Sequence, residues 1–348
     1  MALFRNRSIH DVVSKLDLAL PGISLTVAPS SVAQARARLG SEPMEWLFTI
    51  CAEHRAHASA RSHGWRGLAL YGVDGTTLRV PDSTDNARYF GYSHSVRGES
   101  AYPMVRGVGL MALRSHLLAA VAFGPYAAGE ISYATNLWSS LPREPALARA
   151  PAARTPRRAR RARGLARSSQ AGPEPARALG RASGHLPAEG LPPADPAHFA
   201  DRSGRVPADE IAMLYHERWE LELGYDEIKT ELLDREEAIR SRTPTGVQQE
   251  LWGIFLAYDL VRLEMERVAS DAGVEPTRIS FVAALRLICD EWLWCALASP
   301  GAIPKHLRNL RASLETLILP PRRPERRFPR AVKIEMSNYA RKRRKGSK

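Results

Sequence analysis

One stretch of this chain constrains its fold more than any other, because it lacks the residues from which a protein core is built. In residues 141–200, 42 side chains are Ala, Arg, Pro or Gly, and Val, Ile, Met, Lys, Tyr and Trp do not occur. Such a segment cannot bury enough apolar surface to offset the entropy of ordering its backbone. The sequence therefore predicts two folded portions, separated by a low-complexity segment.

Two explanations of residues 141–204 are open. The ordinary one is a disordered linker. The other hypothesis is out-of-frame translation of a GC-rich gene, because the composition changes abruptly and the basic residues are all Arg. Reading the coding DNA for residues 135–205 in the other two frames tests it. A strand-like run ending in Asp-Arg supports the frameshift, whereas nonsense in both frames supports the linker.

The charge of the chain is concentrated in two segments. The net charge of +13 indicates a polyanionic partner, most often nucleic acid and less often an acidic membrane surface. Residues 141–200 hold 11 Arg against 4 acidic residues, and residues 321–348 hold 12 Lys and Arg against 2 Glu. Because these segments carry more than the whole excess, the remainder is slightly acidic. No apolar run reaches the roughly 18 residues of a membrane span.

Helical spacing of apolar residues occurs at both ends of the chain. Before the low-complexity segment it covers residues 8–20 and 30–50, with serines where helices would begin. After it, the spacing predicts three long helices over residues 207–233, 246–273 and 278–298. The final 28 residues are interpreted as a basic tail.

Extended structure is predicted between these helical regions. Residues 68–80 read as a strand, an Asp-Gly turn and a second strand, with Asp74 at the end of the first strand. Residues 104–113 and 116–124 predict two further strands. A helix is expected to begin near Glu130. The sequence therefore indicates an α/β fold.

The helix predicted over residues 207–233 places four polar side chains on one line. At α-helical winding, Tyr215, Arg218, Glu222 and Lys229 fall within an arc of about 60°. A carboxylate flanked by an aromatic ring and two cations suits a metal ligand beside a phosphate-binding surface. The alternative is a solvated helix face with an i,i+4 pair between Arg218 and Glu222. Four apolar residues on the neighbouring arc would dock the helix: Leu214, Leu221, Ile228 and Leu232.

The same four positions resemble a known signature. Their spacing in "YHERWELELGYDEIK", from Tyr215 to Lys229, is similar to the Tyr-Arg-Glu-Lys signature of the insertion element 4 family of DDE transposases. The run "VDGTTLRVPDS" resembles the first catalytic block of that family, with Asp74 as its first carboxylate. The resemblance includes the helices at both ends of the chain and covers residues 1–140 and about 205–345.

This resemblance implies a ribonuclease H-like α/β fold with helical N-terminal and C-terminal parts. Asp74 and Glu222 would be catalytic metal ligands which, with a second Asp, hold two Mg²⁺ or Mn²⁺ ions. Tyr215, Arg218 and Lys229 would bind DNA phosphates. The implied reaction is cleavage of DNA at the ends of a bacterial insertion sequence, followed by transfer of the 3′ hydroxyl into a target strand.

The resemblance also implies partners and a location. Double-stranded DNA of the element ends and of the target would be bound, and two copies of the chain would form a homodimer in a synaptic complex. The expected location is the bacterial cytoplasm, at the nucleoid, without a membrane partner.

The chain departs from the family at the second Asp, which belongs on a central strand after the helix near Glu130. That position falls in residues 141–204, and neither Asp195 nor Asp201, the aspartates available there, lies in a strand-like run. The chain also begins within what resembles the middle of the N-terminal domain. We therefore predict a truncated or frameshifted copy that lacks its central strand and has absent or severely weakened cleavage. The alternative is a non-catalytic DNA-binding remnant.

These considerations divide the chain into five predicted parts. They are a helical N-terminal domain truncated at its start (1–62), the first part of the catalytic domain (63–140), the low-complexity segment (141–204), the helical second part of the catalytic domain (205–300) and the basic C-terminal tail (301–348).

The cysteines and histidines give no metal-binding pattern in the sequence. Cys51, Cys289 and Cys295 are odd in number and form no CxxC pair, so neither a disulfide framework nor a zinc site is predicted, and a reducing cytoplasm fits. His54 and His57 lie three residues apart without further ligands nearby and are interpreted as surface residues.

Two further groups of residues have a structural interpretation. Asp82 and Asp85 follow Asp74 closely, and a turn with local hydrogen bonds is favoured over a carboxylate cluster. Trp252 and Trp294 lie with Trp292 in apolar helices, so core packing is favoured over base stacking.

Overall fold

The computed structural model describes residues 2–5, 7–8, 11–13, 28–95, 98–142, 207–234 and 238–320. The predictions for residues 143–204 and for the predicted tail (301–348) from residue 321 onward fall outside the described residues, as does most of the helix predicted over 8–20. The described part of that tail is not irregular, because Ile303–Glu315 is a helix with Leu310 and Leu314 buried in the core. The described residues up to Ile318 belong to one compact unit. Within these parts, no helix has the length and apolar character needed to cross a membrane.

The described residues form helices and a single set of strands. The α-helices are α1 (Pro29–Leu39), α2 (Glu42–Ser62), α3 (Thr84–Phe90), α4 (Glu130–Leu137), α5 (Ala208–His216), α6 (Trp219–Asp226), α7 (Pro244–Ala272), α8 (Phe281–Leu297) and α9 (Ile303–Glu315). The strands are β1 (Tyr71–Arg79), β2 (Tyr92–Ser95), β3 (Gly98–Ala112) and β4 (Leu117–Pro125). A π-helical segment, Glu227–Leu232, directly follows α6. Short 3₁₀ turns are Ala2–Phe4, Trp138–Ser140, Pro276–Arg278 and Pro300–Ala302.

The four strands form an antiparallel sheet in which β3 is central. The first half of β3 pairs with β2, and its second half pairs with both β1 and β4. The strands predicted over 104–113 and 116–124 are confirmed as parts of β3 and as β4, and the helix expected near Glu130 begins there. In the described part of the chain, the only pairing of β1 besides β3 is a parallel bridge between Arg79 and Ala238.

The predicted turn within residues 68–80 is wrong. Residues 71–79 form one continuous strand, and Asp74 lies in its middle, not at its end. All nine residues of β1 pair with β3. A tight Asp-Gly turn requires left-handed backbone at its glycine, but Gly75 has no positive φ. Pairing along the long β3 strand therefore overrides the local turn preference.

Helix α7 lies at the centre of the core. It begins where the Thr243 side chain accepts a hydrogen bond from the Gly246 amide (3.3 Å), and it ends at Gly273, whose φ is 67°. The helix packs against α2, α8, α9 and β4. This position explains why buried residues lie on more than one of its faces, among them Leu251, Trp252, Ala257, Leu263 and Met265. The helices predicted over 246–273 and 278–298 are thus confirmed.

Two side-chain interpretations from the sequence are wrong in part. His57 is buried, and its Nδ1 lies 2.7 Å from the Tyr71 hydroxyl, so it is not a surface residue. Trp252 is buried as predicted and Trp292 is partly buried against the core, but Trp294 is 63% exposed. Trp292 and Trp294 are two residues apart on one helix and so lie on opposite sides of it, which is why both cannot pack into the core.

The helix predicted over residues 207–233 is continuous but not uniform. Between α5 and α6 the amides of Glu217 and Arg218 bond to the carbonyls three residues earlier, Leu214 and Tyr215. These bonds wind the backbone more tightly than an α-helix, whereas the π-helical segment after Asp226 is wound more loosely. The prediction of one regular α-helix is therefore wrong at both ends of the signature.

The π-helical segment is fixed by buried charges. Glu227 forms an ion pair with Arg262 of α7, whose side chain is 1% exposed, and accepts a hydrogen bond from the Tyr258 hydroxyl (2.8 Å). His116, in the turn between β3 and β4, lies 2.7 Å from the Arg262 guanidinium. Burial alone would raise the pKa of Glu227, but Arg262 and His116 lower it to about 2. The segment is therefore held to both α7 and the sheet.

We expect Glu227→Gln to destabilise the protein by about 3 kcal/mol or more, because Arg262 would remain buried without its counter-charge. The pKa of Glu227 is lower in the folded chain, so its stabilisation exists above the unfolded value and is lost as the pH falls from 4.5 to about 2. Denaturant-induced unfolding measured across this pH range should show that the free energy of unfolding falls less with decreasing pH in the variant than in the wild type.

The matched control is Glu210→Gln, which removes an exposed ion pair with Arg66 (2.8 Å). It should cost less than about 1 kcal/mol. Similar losses of unfolding free energy in the two variants would contradict the importance of the buried pair.

Candidate functional site

Asp74 lies on the face of the sheet that α6 covers. It stands opposite Gly109 of β3, and it shares its face with Gly72 because side chains alternate along a strand. A Cβ atom at Gly72 would come within 2.5 Å of Leu221 in α6, so the glycine allows the helix to approach the strand closely. The Asp74 side chain is one-third exposed, and its Oδ1 accepts a hydrogen bond from the Gly75 amide (2.8 Å).

Arg218 brings Asp74 and Glu222 together. Its Nη1 lies 3.7 Å from Asp74 Oδ2, and its Nη2 lies 3.6 Å from Glu222 Oε1. Residues that are far apart in the sequence thus contact one guanidinium. The i,i+4 ion pair between Arg218 and Glu222 that is expected for a solvated helix face does form. The same guanidinium also contacts Asp74 on β1. Since all three side chains are partly exposed, these ion pairs are weak and can be exchanged for other partners.

The other two signature residues lie on either side of Arg218 and Glu222 along the chain. Tyr215 lies in α5 and is 72% exposed. Lys229 is partly buried in the π-helical segment. Because the winding changes between these residues, the angles computed for a uniform α-helix do not apply to them. The predicted arc therefore holds for Arg218 and Glu222, and Tyr215 and Lys229 flank that pair.

The apolar side of the signature helix docks largely as predicted. Leu221, Ile228 and Leu232 are buried in the main core, while Leu214 is only partly buried. This packing leaves Glu222 at the exposed edge of the contact between α6 and the sheet. The docked face thus determines which side the carboxylate presents.

Tyr225 is a site residue that the sequence interpretation missed. Its hydroxyl accepts a hydrogen bond from the Gly109 amide (2.9 Å) and donates one to the Asp74 carbonyl (2.7 Å). The side chain is buried, and burial raises the pKa of the Tyr225 hydroxyl well above its ordinary value, so it stays protonated and able to donate. Since Tyr225 lies three residues after Glu222, it joins the helix that carries one carboxylate to the strand that carries the other.

Gly109 permits this contact. A Cβ atom at that position would lie 2.8 Å from the Tyr225 hydroxyl oxygen, so a larger residue would displace the ring. The signal in the sequence was a glycine inside a strand, which often marks close approach of another group. Sequence spacing alone does not show that Gly109 and Tyr225 are in contact.

A further carboxylate, Glu130, lies near β1 but on its other face. A Cβ atom at Gly75 would be 2.5 Å from the Glu130 carboxyl carbon, and Gly75 faces away from the side to which Asp74 points. Glu130 therefore cannot join Asp74 and Glu222 around one ion. Asp195 and Asp201 lie outside the described residues.

Asp82 and Asp85 have local roles, as expected. Asp82 accepts a hydrogen bond from the Tyr92 hydroxyl (2.6 Å) in the connection after β1, and Asp85 lies in the first turn of α3. Among the described residues, the carboxylates that meet at the Arg218 guanidinium are Asp74 and Glu222.

The donor set of the cluster suits a hard cation. Carboxylate oxygens are the ligands preferred by Mg²⁺ and Mn²⁺, and the two carboxylates already share one positive group, the Arg218 guanidinium. The described residues thus fit two of the three carboxylates that the resemblance implies.

Comparisons with known proteins identify the family to which the chain is similar. Residues 1–49 match the family described as insertion element 4 transposase N-terminal, and residues 69–260 match the transposase DDE domain. The chain is 34% identical to the transposase InsG for insertion sequence element IS4 of Escherichia coli (strain K12), over 97% of this chain and 84% of that protein. It is 36% identical to the InsZ protein of the same organism, over 40% of this chain and 47% of InsZ. No solved structure is significantly similar.

We expect Tyr225→Phe to lower the free energy of unfolding by about 1 to 2 kcal/mol, because the variant removes a buried hydroxyl that bonds to two backbone groups. Hydrogen exchange at the Gly109 amide should become faster. Urea unfolding and amide exchange measured by NMR would check both effects.

Tyr133→Phe is the matched control, because the Tyr133 hydroxyl donates to one backbone carbonyl, that of Pro125 (2.9 Å), away from Asp74. It should leave exchange at Gly109 unchanged. If Tyr225→Phe also left Gly109 exchange and stability unchanged, the hydroxyl would not be joining the helix to the strand.

Proposed function

Because this chain belongs to the insertion element 4 family of DDE transposases, we propose that its DNA-cleaving site is built on Asp74 and Glu222, with Tyr215, Arg218 and Lys229 as its phosphate-binding residues. The DDE domain implies a ribonuclease H-like fold and the use of divalent metal ions. The proposed partner is double-stranded DNA at the ends of the insertion element and at the target.

One observation carries this proposal. Asp74 on β1 and Glu222 on α6 both contact the Arg218 guanidinium, at 3.7 and 3.6 Å. An accidental signature on a solvated helix would have no reason to meet the aspartate of a separate sequence block. The convergence of three predicted residues from two remote segments favours one functional site.

The residues of the site have distinct proposed roles. Asp74 and Glu222 would hold Mg²⁺ or Mn²⁺, and two such ions would supply charge stabilisation at the attacked and the leaving oxygens of the phosphodiester. Arg218 would exchange its carboxylate contacts for a DNA phosphate, which its planar group can bind with two hydrogen bonds. Lys229 adds a second cation, and the exposed Tyr215 hydroxyl can donate to a phosphate oxygen.

We further propose that strand cleavage is severely weakened in this chain because the second aspartate is missing. A central strand would pair with the open edge of β1. Among the described residues, that edge has a single parallel bridge, between Arg79 and Ala238. Glu130 lies on the wrong face of the sheet to replace the missing ligand. The composition of residues 143–204 supports the same conclusion, because it contains no strand-like run that ends in Asp.

The second candidate function is a non-catalytic DNA-binding remnant. It is favoured by the same incomplete carboxylate set together with the basic residues of the tail from 321 onward. Such a chain would occupy the ends of the element, or join a complete transposase in a mixed dimer and block it.

DNA binding can be tested on the signature residues. Arg218→Ala and Lys229→Ala should each weaken binding to double-stranded DNA across sequences, and each should lower the slope of log affinity against log salt by about one. Fluorescence anisotropy at several salt concentrations measures both. Arg308→Ala, an exposed position on α9, removes the same charge and is the matched control. Equal effects in the control would indicate net charge and not a specific site.

Cleavage separates the two candidates. With Mn²⁺ or Mg²⁺ and DNA carrying the ends of its own element, we expect nicking at least about a hundredfold slower than by a family member with all three carboxylates. Even the loss of a residue that only hydrogen-bonds to a metal ligand costs about 10 to 100-fold. Any residual nicking should disappear in Asp74→Ala if the chain is an impaired enzyme. Robust nicking abolished by Asp74→Ala would overturn the proposed impairment.

A further inference from the structure

A second group of metal-binding side chains lies outside the DNA site, where α8 meets α9. Glu291, Cys295 and His306 each offer a ligand atom, and these atoms all lie within 4.8 Å of one another. Glu291 and Cys295 are four residues apart on α8, so they occupy the same helix face. His306 is in the first turns of α9. Among the residues that the structure describes, this is the one group of three or more His, Cys, Asp or Glu side chains whose ligand atoms could hold a single ion.

The three ligand atoms can reach a common point. Atoms within 4.8 Å of one another have a point at most about 2.8 Å from each, against zinc-ligand distances of about 2.0 to 2.3 Å. The remaining closure is small for side chains that are 22% exposed at Glu291 and 34% exposed at His306. This exposure also gives an ion a path from solvent.

The helices hold the three residues in place. Leu310 and Leu314 of α9 and Ile288 of α8 are buried in the same core cluster, so the two helices are packed independently of any ion. His306 Nδ1 already lies 2.6 Å from Glu291 Oε1. A site that is arranged before the ion arrives loses less entropy on binding.

The chemistry of the donors selects the ion. A thiolate, an imidazole and a carboxylate form a set that zinc prefers, whereas Mg²⁺ and Ca²⁺ prefer oxygen ligands only. The cluster is therefore distinct in kind from Asp74 and Glu222, which offer oxygens alone. The competing explanation is that His306 and Glu291 form an ordinary, partly exposed ion pair in which Cys295 takes no part.

We propose that Glu291, Cys295 and His306 bind one Zn²⁺ ion, with water in the fourth position, and that this ion joins α8 to α9. The sequence alone does not indicate this site, because its ligands come from two helices and contain no CxxC or HxxxH spacing. The proposal is independent of the catalytic assignment.

Cobalt titration of the full-length protein tests the site, since Co²⁺ replaces Zn²⁺ and a cobalt-thiolate bond absorbs in the near ultraviolet. One thiolate-bound Co²⁺ per chain is expected, displaced by Zn²⁺. The band should be lost in Cys295→Ser and retained in Cys289→Ser, a matched change on the same helix whose thiol lies 3.9 Å from the Leu3 carbonyl oxygen. Asp74→Ala should leave it unchanged.

His306→Gln and Glu291→Gln provide a second measurement if the serine variant fails to fold, which circular dichroism would reveal. Each should weaken cobalt binding by at least about tenfold, because even the loss of a residue that only hydrogen-bonds to a metal ligand costs about that much. The proposal is overturned if the wild-type chain gives no cobalt-thiolate band, if the band persists in Cys295→Ser, or if both glutamine variants bind as tightly as the wild type.

Discussion

The hydrogen bonds of the Tyr225 hydroxyl are the interaction on which the geometry of the site depends. They connect α6 to two neighbouring strands at the residue pair Asp74 and Gly109. A carboxylate on a helix and another on a strand would otherwise be related by apolar packing, which tolerates small shifts, and by the weak, exchangeable ion pairs of Arg218. The directional bonds reduce that freedom, because a donor and an acceptor must both remain aligned with one oxygen. Close approach is possible since β3 has no side chain at Gly109.

The π-helical segment after α6 shows how buried charge can select an uncommon backbone. An α-helix is ordinarily more stable than a π-helix, so the loose winding needs compensation from elsewhere. Here the segment begins at Glu227, which is paired with the buried Arg262 and bonded to Tyr258. Removing Glu227 from that environment would leave a buried guanidinium unpaired. The position of Lys229 is therefore set by π-helical winding, whereas that of Glu222 is set by the α-helical winding of α6.

Binding and cleavage have different structural requirements in this chain. In the proposed site, phosphate contacts would need only cations on a docked helix, which Arg218 and Lys229 would supply without a complete carboxylate set. The proposed cleavage would need three carboxylates around the metal ions, and the described residues bring two together. Loss of a central strand would therefore affect catalysis before it affects DNA binding. For this reason the two proposals, a DNA-binding remnant and an impaired enzyme, share the same DNA-binding residues and differ only in whether any cleavage remains.

The sequence by itself determined the helices within residues 30–50, 246–273 and 278–298, most of the strands, the family and the pairing of Arg218 with Glu222. These depend on periodicity and on residues close in the chain. Tertiary structure alone decided that residues 71–79 form one strand, since pairing with β3 outweighed the Asp-Gly turn preference. It also decided the contact of Tyr225 with Asp74 and the meeting of Cys295 with His306. Such contacts join separate elements, and their formation depends on how the whole core packs rather than on local spacing.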